Sequence, residues 1–230
     1  MLNRDERKRI WELDFLRGIA LILMIIFHFL YDLNEFFHYP VAYYTGVYYY
    51  IGKVSVILFM LISGISSSLS RNNLKRGLRL LIIAMGITVV THLWQAQWGI
   101  KFGILHFLGV SIMLYPALAR LPSIALPVLG TLVIWAGRFL PEVSFDYLFP
   151  LGIKSSNFVS ADYYPLIPWL GVFVYGVFLG KVLYKNHKSL LKFRFSPQNP
   201  VNYLGAHTLI VYLIHQPLLL LMLNIIFHFL

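Results

Sequence analysis

The stretch LDFLRGIALILMIIFHFLYDL, residues 13–33, decides the fold of this chain. It is as long as the roughly 20 apolar residues that an α-helix needs to cross the hydrocarbon core of a bilayer. Its ionisable residues stand at the two ends: Asp14 and Arg17 at the start, His28 and Asp32 at the far end. Since an ionisable side chain costs about 2.5–3.5 kcal/mol in hydrocarbon, such residues usually mark a pore, a proton path or an active site.

The composition of the whole chain is that of a membrane protein. Of its 230 residues, 59% are hydrophobic and only 12% are charged, which is about half the charged fraction of a soluble domain. The chain has no cysteine, and this excludes disulfides, thiolate nucleophiles and cysteine-ligated metals. The first apolar run is too long for a signal-peptide core and lacks a small-residue cleavage site, so we expect it to be a retained helix.

Apolar runs of near-spanning length recur along the chain. Their residues are 13–33, 46–69, 78–97, 102–119, 122–140, 163–183 and 203–227. They predict an all-α, polytopic transmembrane helix bundle of about seven helices. No remaining segment is long enough for a separate soluble domain, so residues 1–230 are expected to form a single transmembrane domain.

The net charge of +10 is distributed unevenly between the predicted connections. With the N-terminus inside, the outer connections hold only Lys101, Arg138 and Lys154. The inner segments hold Arg4, Arg7, Lys8, Arg9, Arg71, Lys75, Arg76, Arg79, Arg120, Lys181, Lys185, Lys188, Lys192 and Arg194. This asymmetry follows the positive-inside rule and predicts an N-in, C-out topology. Anionic lipid therefore accounts for much of the basicity, and no nucleic acid is expected as a partner.

Several histidines fall in the outer half of the predicted bilayer: His28, His38, His92 and His106. Asp162 and Lys53 are expected at a similar depth, on helices six and two. Among these residues His28 stands out, because Asp32 lies four residues later on the same helical face, within reach of its ring. A carboxylate behind an imidazole fixes the tautomer and raises the basicity of the other nitrogen, as a general base requires. Hydrogen-bonded packing roles remain open for all four histidines.

The inner ends of the helices carry polar residues with two interpretations each. Asp14 and Arg17 are three residues apart, which suits either an intrahelical ion pair or an arginine that faces an inner cavity for an anionic cosubstrate. A basic cluster follows helix two and suits phosphates by charge, although positive-inside anchoring explains it as well. Its members are Arg71, Lys75, Arg76 and Arg79.

Two further features indicate structural roles. His215 precedes Pro217 in helix seven, and Gly176 with Gly180 forms a small-residue packing pair on helix six.

Five segments of the chain resemble the heparan-alpha-glucosaminide N-acetyltransferase family, in order, from about residue 10 to 219. They are LDFLRGIALILMIIFHFLYDL, LFMLISGISSSLSR, GILHFLGVS, YYPLIPWLGVFVYGVFLG and LGAHTLIVYLIHQP. The opening RGIA-xxx-M motif, at residues 17–24, is shared with the broader superfamily of membrane acyltransferases that O-acylate surface polysaccharides. The ordered set of segments is therefore more specific than the first motif alone.

The resemblance implies a multi-pass acyltransferase of the cell membrane, with the single domain at residues 1–230 as its acyltransferase-like domain. An acetyl or other acyl group would pass from cytoplasmic acyl-CoA to an amine or hydroxyl acceptor on the outer side, with a sugar or glycan as the expected acceptor. Acetyl-CoA, or another acyl-CoA, is then the cosubstrate, and no metal is required. The acceptor, the acyl chain and the formation of a homo-oligomer stay open.

The resemblance also implies roles for individual residues. In the polysaccharide acylases the histidine that ends the first-helix motif is catalytic, and it matches His28. In the lysosomal acetyltransferases an asparagine stands there, and the essential histidine of the next outer loop corresponds to His38 within one residue. Either could be the base, and Asp32 favours His28. Supporting roles, including oxyanion donors, fall to His106, Lys53 and Asp162. Binding of the acyl-CoA phosphates falls to Arg17, Arg71, Lys75, Arg76 and Arg79.

Two other classes of function fit the same polar residues. A proton-coupled transporter would use a relay of His28, Asp32, Lys53 and Asp162. A b-type cytochrome would ligate haem through His28 with His92 or His106. The absence of an evident inverted repeat counts against the transporter.

Overall fold

The computed structural model of the protein describes residues 10–192, 195–196 and 199–229. Some basic residues of the predicted inner segments lie outside these ranges: Arg4, Arg7, Lys8, Arg9 and Arg194.

The described part of the chain contains eight α-helices. They are α1 (Trp11–Glu35), α2 (Gly46–Leu69), α3 (Asn73–Trp94), α4 (Ile104–Ala119), α5 (Ala125–Ala136), α6 (Leu166–Leu183), α7 (Pro200–Ala206) and α8 (Thr208–Phe229). Short 3-10 turns occupy Ala96–Trp98, Gly137–Phe139 and Phe149–Leu151. No strand forms within the described ranges. Five helices, α1, α2, α3, α6 and α8, are long and apolar enough to cross a membrane. The predicted all-α membrane architecture is confirmed.

The helix count differs from seven because the last apolar run is divided at His207. This residue has non-helical backbone angles and separates α7 from α8. The Thr208 hydroxyl donates to the Gly205 carbonyl oxygen at 2.5 Å, a local bond of the kind that competes with the regular helical ladder. The helical segment itself begins earlier than the predicted start at residue 203. Pro200 starts α7, and the Asn199 side chain caps this helix by accepting from the Val201 N–H.

The described residues group into two compact units: those within 1–59 together with those within 188–230, and residues 60–187. In the first unit α1 packs on α7 and α8. A Cβ added at Gly205 would overlap the Asp14 carbonyl oxygen, and one at Gly18 would overlap that of Val201. The backbones of α1 and α7 are therefore in direct contact, which only glycine permits at these two positions.

The second unit contains the end of α2 and helices α3 to α6, in which α3 packs on α4 and α5 packs on α6. Here Gly176 and Gly180 of α6 pack against the α2 backbone at Leu61 and Ile65. The predicted packing role of this glycine pair is confirmed. Lys181, one residue further along α6, donates to the Ala119 and Leu121 carbonyl oxygens, at 3.0 and 2.8 Å, and so closes the C-terminal end of α4.

Candidate active site

Four polar side chains of α1 and α8 come together inside the first unit. The imidazoles of His28 and His215 meet edge to face, with ring centroids 4.9 Å apart. One turn along α1, the Asp32 side chain is fully buried, and its Oδ1 accepts a hydrogen bond from Gln216 Nε2 at 2.6 Å. His28, Asp32, His215 and Gln216 are called the α1–α8 polar group below.

The hydrogen bonds of the two imidazoles fix their neutral tautomers. His28 Nδ1 lies 2.9 Å from the Met24 carbonyl oxygen, and His215 Nδ1 lies 2.5 Å from that of Tyr212. A carbonyl oxygen only accepts, so each Nδ1 carries the proton and each Nε2 keeps its lone pair. Both rings are thus held by their own helix in the form that can act as a base through Nε2.

The predicted hydrogen bond between His28 and Asp32 is wrong. The Asp32 carboxylate accepts from Gln216, and the His28 Nδ1 is turned back to the Met24 carbonyl. The two residues do share a helical face, as their spacing predicts. The local pattern could not reveal Gln216, because that partner lies 184 residues away in sequence.

Neither His215 nor Gln216 bonds the carbonyl that Pro217 leaves without a helical donor. A proline at position 217 leaves the carbonyl of Leu213 without its usual helical donor. His215 instead bonds the Tyr212 carbonyl, and Gln216 bonds Asp32. The only sequence signal for this pair was two polar residues inside an apolar helix.

Two other predicted residues of the first unit lie outside the α1–α8 polar group by their contacts. His38 is exposed in the connection after α1, with a positive φ of 55°. The Lys53 ammonium lies 5.3 Å from the centre of the Tyr49 ring, as a cation–π pair on α2.

The start of α1 carries the predicted ion pair. Arg17 Nη1 lies 2.6 Å from Asp14 Oδ1, and the Asp14 side chain is buried. The pair is therefore confirmed, and the arginine charge is offset by a carboxylate within one turn. Sequence analysis missed Glu12, which is also buried and accepts from the Ser189 hydroxyl and the Leu190 N–H, at 2.8 and 2.7 Å.

His106 lies in the second unit, where both of its ring nitrogens have hydrogen-bond partners. Its Nδ1 accepts the Gly103 N–H at 3.2 Å, so the proton stands on Nε2, which lies 3.1 Å from the Thr88 hydroxyl. The ring of this buried residue thus links the first turn of α4 to Gly103, which precedes it, and to Thr88 of α3. His92, by contrast, is exposed in the last turn of α3.

Asp162 lies before α6 and not on it, which corrects the predicted position. Its Oδ2 accepts the Ile104 N–H at 2.9 Å and so caps the first turn of α4. A Cβ on Gly103 would overlap this carboxylate. Burial raises the pKa of Asp162 from 3.8 to about 6, and the hydrogen bond from Ile104 opposes that rise.

Replacing Asp162 by asparagine should change how stability depends on pH. The folded protein binds this proton more tightly than the unfolded chain does, so the carboxyl contributes most below about pH 4 and loses that contribution as the pH rises through 6. Asp162→Asn keeps an acceptor for Ile104 and does not titrate. Its thermal midpoint relative to the parent protein should therefore rise between pH 4 and pH 7, measured in detergent.

The matched control for this pH series is Asp146→Asn. Asp146 is exposed, and its pKa is lowered by the hydrogen bond from the Ser155 N–H, so this variant should shift in the opposite direction. A constant difference between Asp162→Asn and the parent protein across the range would contradict the assignment.

The predicted basic cluster lies at the start of α3, where the Asn72 side chain caps the helix by accepting from the Lys75 N–H. Arg76 turns back to α2 and donates to the Ser66 carbonyl and the Ser67 hydroxyl, at 3.3 and 3.0 Å. The other three side chains are exposed and are called the α3 basic group below: Arg71, Lys75 and Arg79.

Comparison with known proteins gives one match. The family described as heparan-alpha-glucosaminide N-acetyltransferase, catalytic, matches residues 9–217. The matched range includes α1, the α3 basic group and all members of the α1–α8 polar group. Searches of curated proteins and of solved structures gave no match. Among the residues that the structure describes, no three His, Asp or Glu side chains are grouped so that they could hold a metal ion.

Proposed function

The chain belongs to the heparan-alpha-glucosaminide N-acetyltransferase family of membrane acetyltransferases, and on that premise we propose that it moves an acetyl group from acetyl-CoA to an amine or hydroxyl acceptor. We propose a sugar or glycan on the outer side of the cell membrane as the acceptor. The observation that carries the proposal is the α1–α8 polar group. It presents imidazole bases on two predominantly apolar helices, inside the range that the family matches.

His28 is the proposed base. Its Nε2 takes the proton from the attacking amine or hydroxyl while the new bond forms to the acetyl carbon. The carbon–sulfur bond of the thioester then breaks, and the imidazolium returns its proton to the CoA thiolate. General-base catalysis of this kind contributes about 10²–10⁴-fold to a rate. His38 is the alternative base, but its exposed loop position offers no hydrogen-bonded partner that fixes its tautomer in the described structure.

The α3 basic group is the proposed site for the phosphates of acetyl-CoA. Its three cations stand before α3 and within its first two turns, near a helix N-terminus, which favours anions. Their side chains are exposed and so are accessible to a cosubstrate in water. Arg17 and Arg76 are less suited, because Asp14 and the α2 serines already bind them.

Replacing the α3 basic group by glutamine, as Arg71→Gln, Lys75→Gln and Arg79→Gln together, should raise the KM for acetyl-CoA about 10-fold. Exposed charge pairs contribute about 0.2–1 kcal/mol each, and the effect should shrink at high salt. The acceptor KM should not change. Lys185→Gln, an exposed lysine after α6, is the control. An unchanged KM for acetyl-CoA in the triple variant would place its phosphates elsewhere.

The proposed activity is tested with the full chain reconstituted in lipid vesicles. Radiolabelled acetyl-CoA is supplied with glucosamine as the acceptor, and the product is identified by mass spectrometry. Acetylated glucosamine that depends on the protein supports the proposal. Uptake of glucosamine without acetyl-CoA and without acetylation would instead indicate the proton-coupled transporter.

A further inference from the structure

Some buried polar atoms of the α1–α8 polar group have no hydrogen-bond partner within the group. Three of its polar atoms are buried and have no hydrogen-bond partner among the described residues: Asp32 Oδ2, His215 Nε2 and Gln216 Oε1. The Gln216 amide donates through Nε2 to Asp32 Oδ1, which leaves its Oε1 as the atom without a partner. The His215 tautomer follows from the Tyr212 carbonyl.

His215 Nε2 and Gln216 Oε1 are acceptors, and Asp32 Oδ2 is one when the carboxyl is ionised. Both Nδ1–H groups bind backbone carbonyls, and one of the two N–H groups of the Gln216 amide binds Asp32. A buried polar atom without a partner costs about 1–3 kcal/mol. The chemistry that relieves this cost is a ligand that donates several hydrogen bonds. An ionised phosphate or a thioester carbonyl only accepts, so neither fits here.

We propose that His215 and Gln216 of α8, with Asp32 of α1, bind the N–H and O–H groups of the acceptor substrate. The inference rests on the proposed function and extends it, because it separates recognition of the acceptor from the proton transfer assigned to His28. The three acceptor atoms favour a compact ligand with at least three donors, such as an amino sugar, over a simple alcohol or amine. His215 is therefore a binding residue that contacts the substrate.

The chain offers an isosteric test of His215. In His215→Asn the amide nitrogen can replace Nδ1 as the donor to the Tyr212 carbonyl, while the Nε2 acceptor is lost. His228→Asn is the matched control, because His228 also lies on α8, is exposed, and bonds through Nδ1 to the Asn224 carbonyl at 3.1 Å. The two variants thus differ in whether the removed Nε2 belongs to the α1–α8 polar group.

His215→Asn should raise the KM for glucosamine about 10-fold and leave the KM for acetyl-CoA unchanged, since one hydrogen bond to the acceptor is removed. Asp32→Asn, which reverses the polarity at Oδ2, should act in the same direction. His228→Asn should behave as the parent protein does. A wild-type glucosamine KM in His215→Asn, or a change confined to the acetyl-CoA KM, would overturn the inference.

A second measurement does not depend on turnover. Glucosamine should raise the thermal unfolding midpoint of the parent protein and of His228→Asn, and it should not raise that of His215→Asn. Permethylated glucosamine, which keeps the ring but lacks the donors, should stabilise none of them. If the parent protein is stabilised in this pattern but transfers no acetyl group, the proposed function fails and the binding inference stands. If glucosamine does not stabilise the parent protein, the inference is overturned.

Discussion

Replacing His28 by alanine should lower the rate of acetyl transfer at least 100-fold and leave the KM for acetyl-CoA nearly unchanged. The variant removes the Nε2 lone pair that we propose as the general base, and such a base contributes about 10²–10⁴-fold. The initial rate with glucosamine and acetyl-CoA in lipid vesicles measures the effect. Imidazole added to the vesicles should restore part of the lost rate, because it supplies the missing base to the cavity left by the side chain.

Two further variants accompany His28→Ala. One is a control for the loss of an imidazole, and the other tests the alternative base. His207→Ala removes an exposed histidine whose Nδ1 also lies 2.9 Å from a backbone carbonyl, that of Tyr203, so it controls for loss of an imidazole in the same unit. His38→Ala tests the other candidate. If His38→Ala loses the activity and His28→Ala keeps more than a tenth of it, the base is His38.

Replacing Gly205 by alanine should destabilise the protein by about 3 kcal/mol or more. The added methyl group would stand where the Asp14 carbonyl oxygen of α1 is, and a backbone atom cannot move aside as a flexible side chain can. Overpacking typically costs 1–3 kcal/mol, and a contact between two backbones belongs at the upper end or beyond. Reversible unfolding in mixed detergent, followed by the loss of helical circular dichroism, measures the change.

The control for Gly205 is Gly86→Ala. Gly86 lies in the middle of α3, and a Cβ there would meet nothing within 4 Å. Alanine favours a helix by about 1 kcal/mol over glycine, so this variant should be as stable as the parent protein or slightly more stable. Equal stability of the two variants would show that α1 and α7 can separate at little cost.

The sequence predicts most helices because hydropathy and length act locally. The run at residues 46–69 coincides with α2, and the run at 13–33 lies within α1, Trp11–Glu35. The division at His207 was not predicted, since residues 203–227 are predominantly apolar and the hydrogen bond of the Thr208 hydroxyl at the break is not visible in hydropathy. The N-in, C-out orientation and the single domain stay predictions.

The candidate site was predictable only where partners are close in sequence. Asp14 and Arg17 pair as their three-residue spacing indicates. The partner of Asp32 comes from α8, and the partner of His106 comes from α3, at separations of 184 and 18 residues. Helical spacing defines a face but does not say which helix covers it, so the role of Gln216 needed the structure.

The contact at Gly18 bears on what the RGIA motif can signify in other chains. Only glycine fits at position 18, because a Cβ there would overlap the Val201 carbonyl oxygen of α7. This requirement comes from helix packing and not from a reaction. In this chain the motif therefore marks a place where two helices cross without side chains between them. Shared ancestry or shared architecture would satisfy it equally well, so the motif alone does not establish a common chemistry.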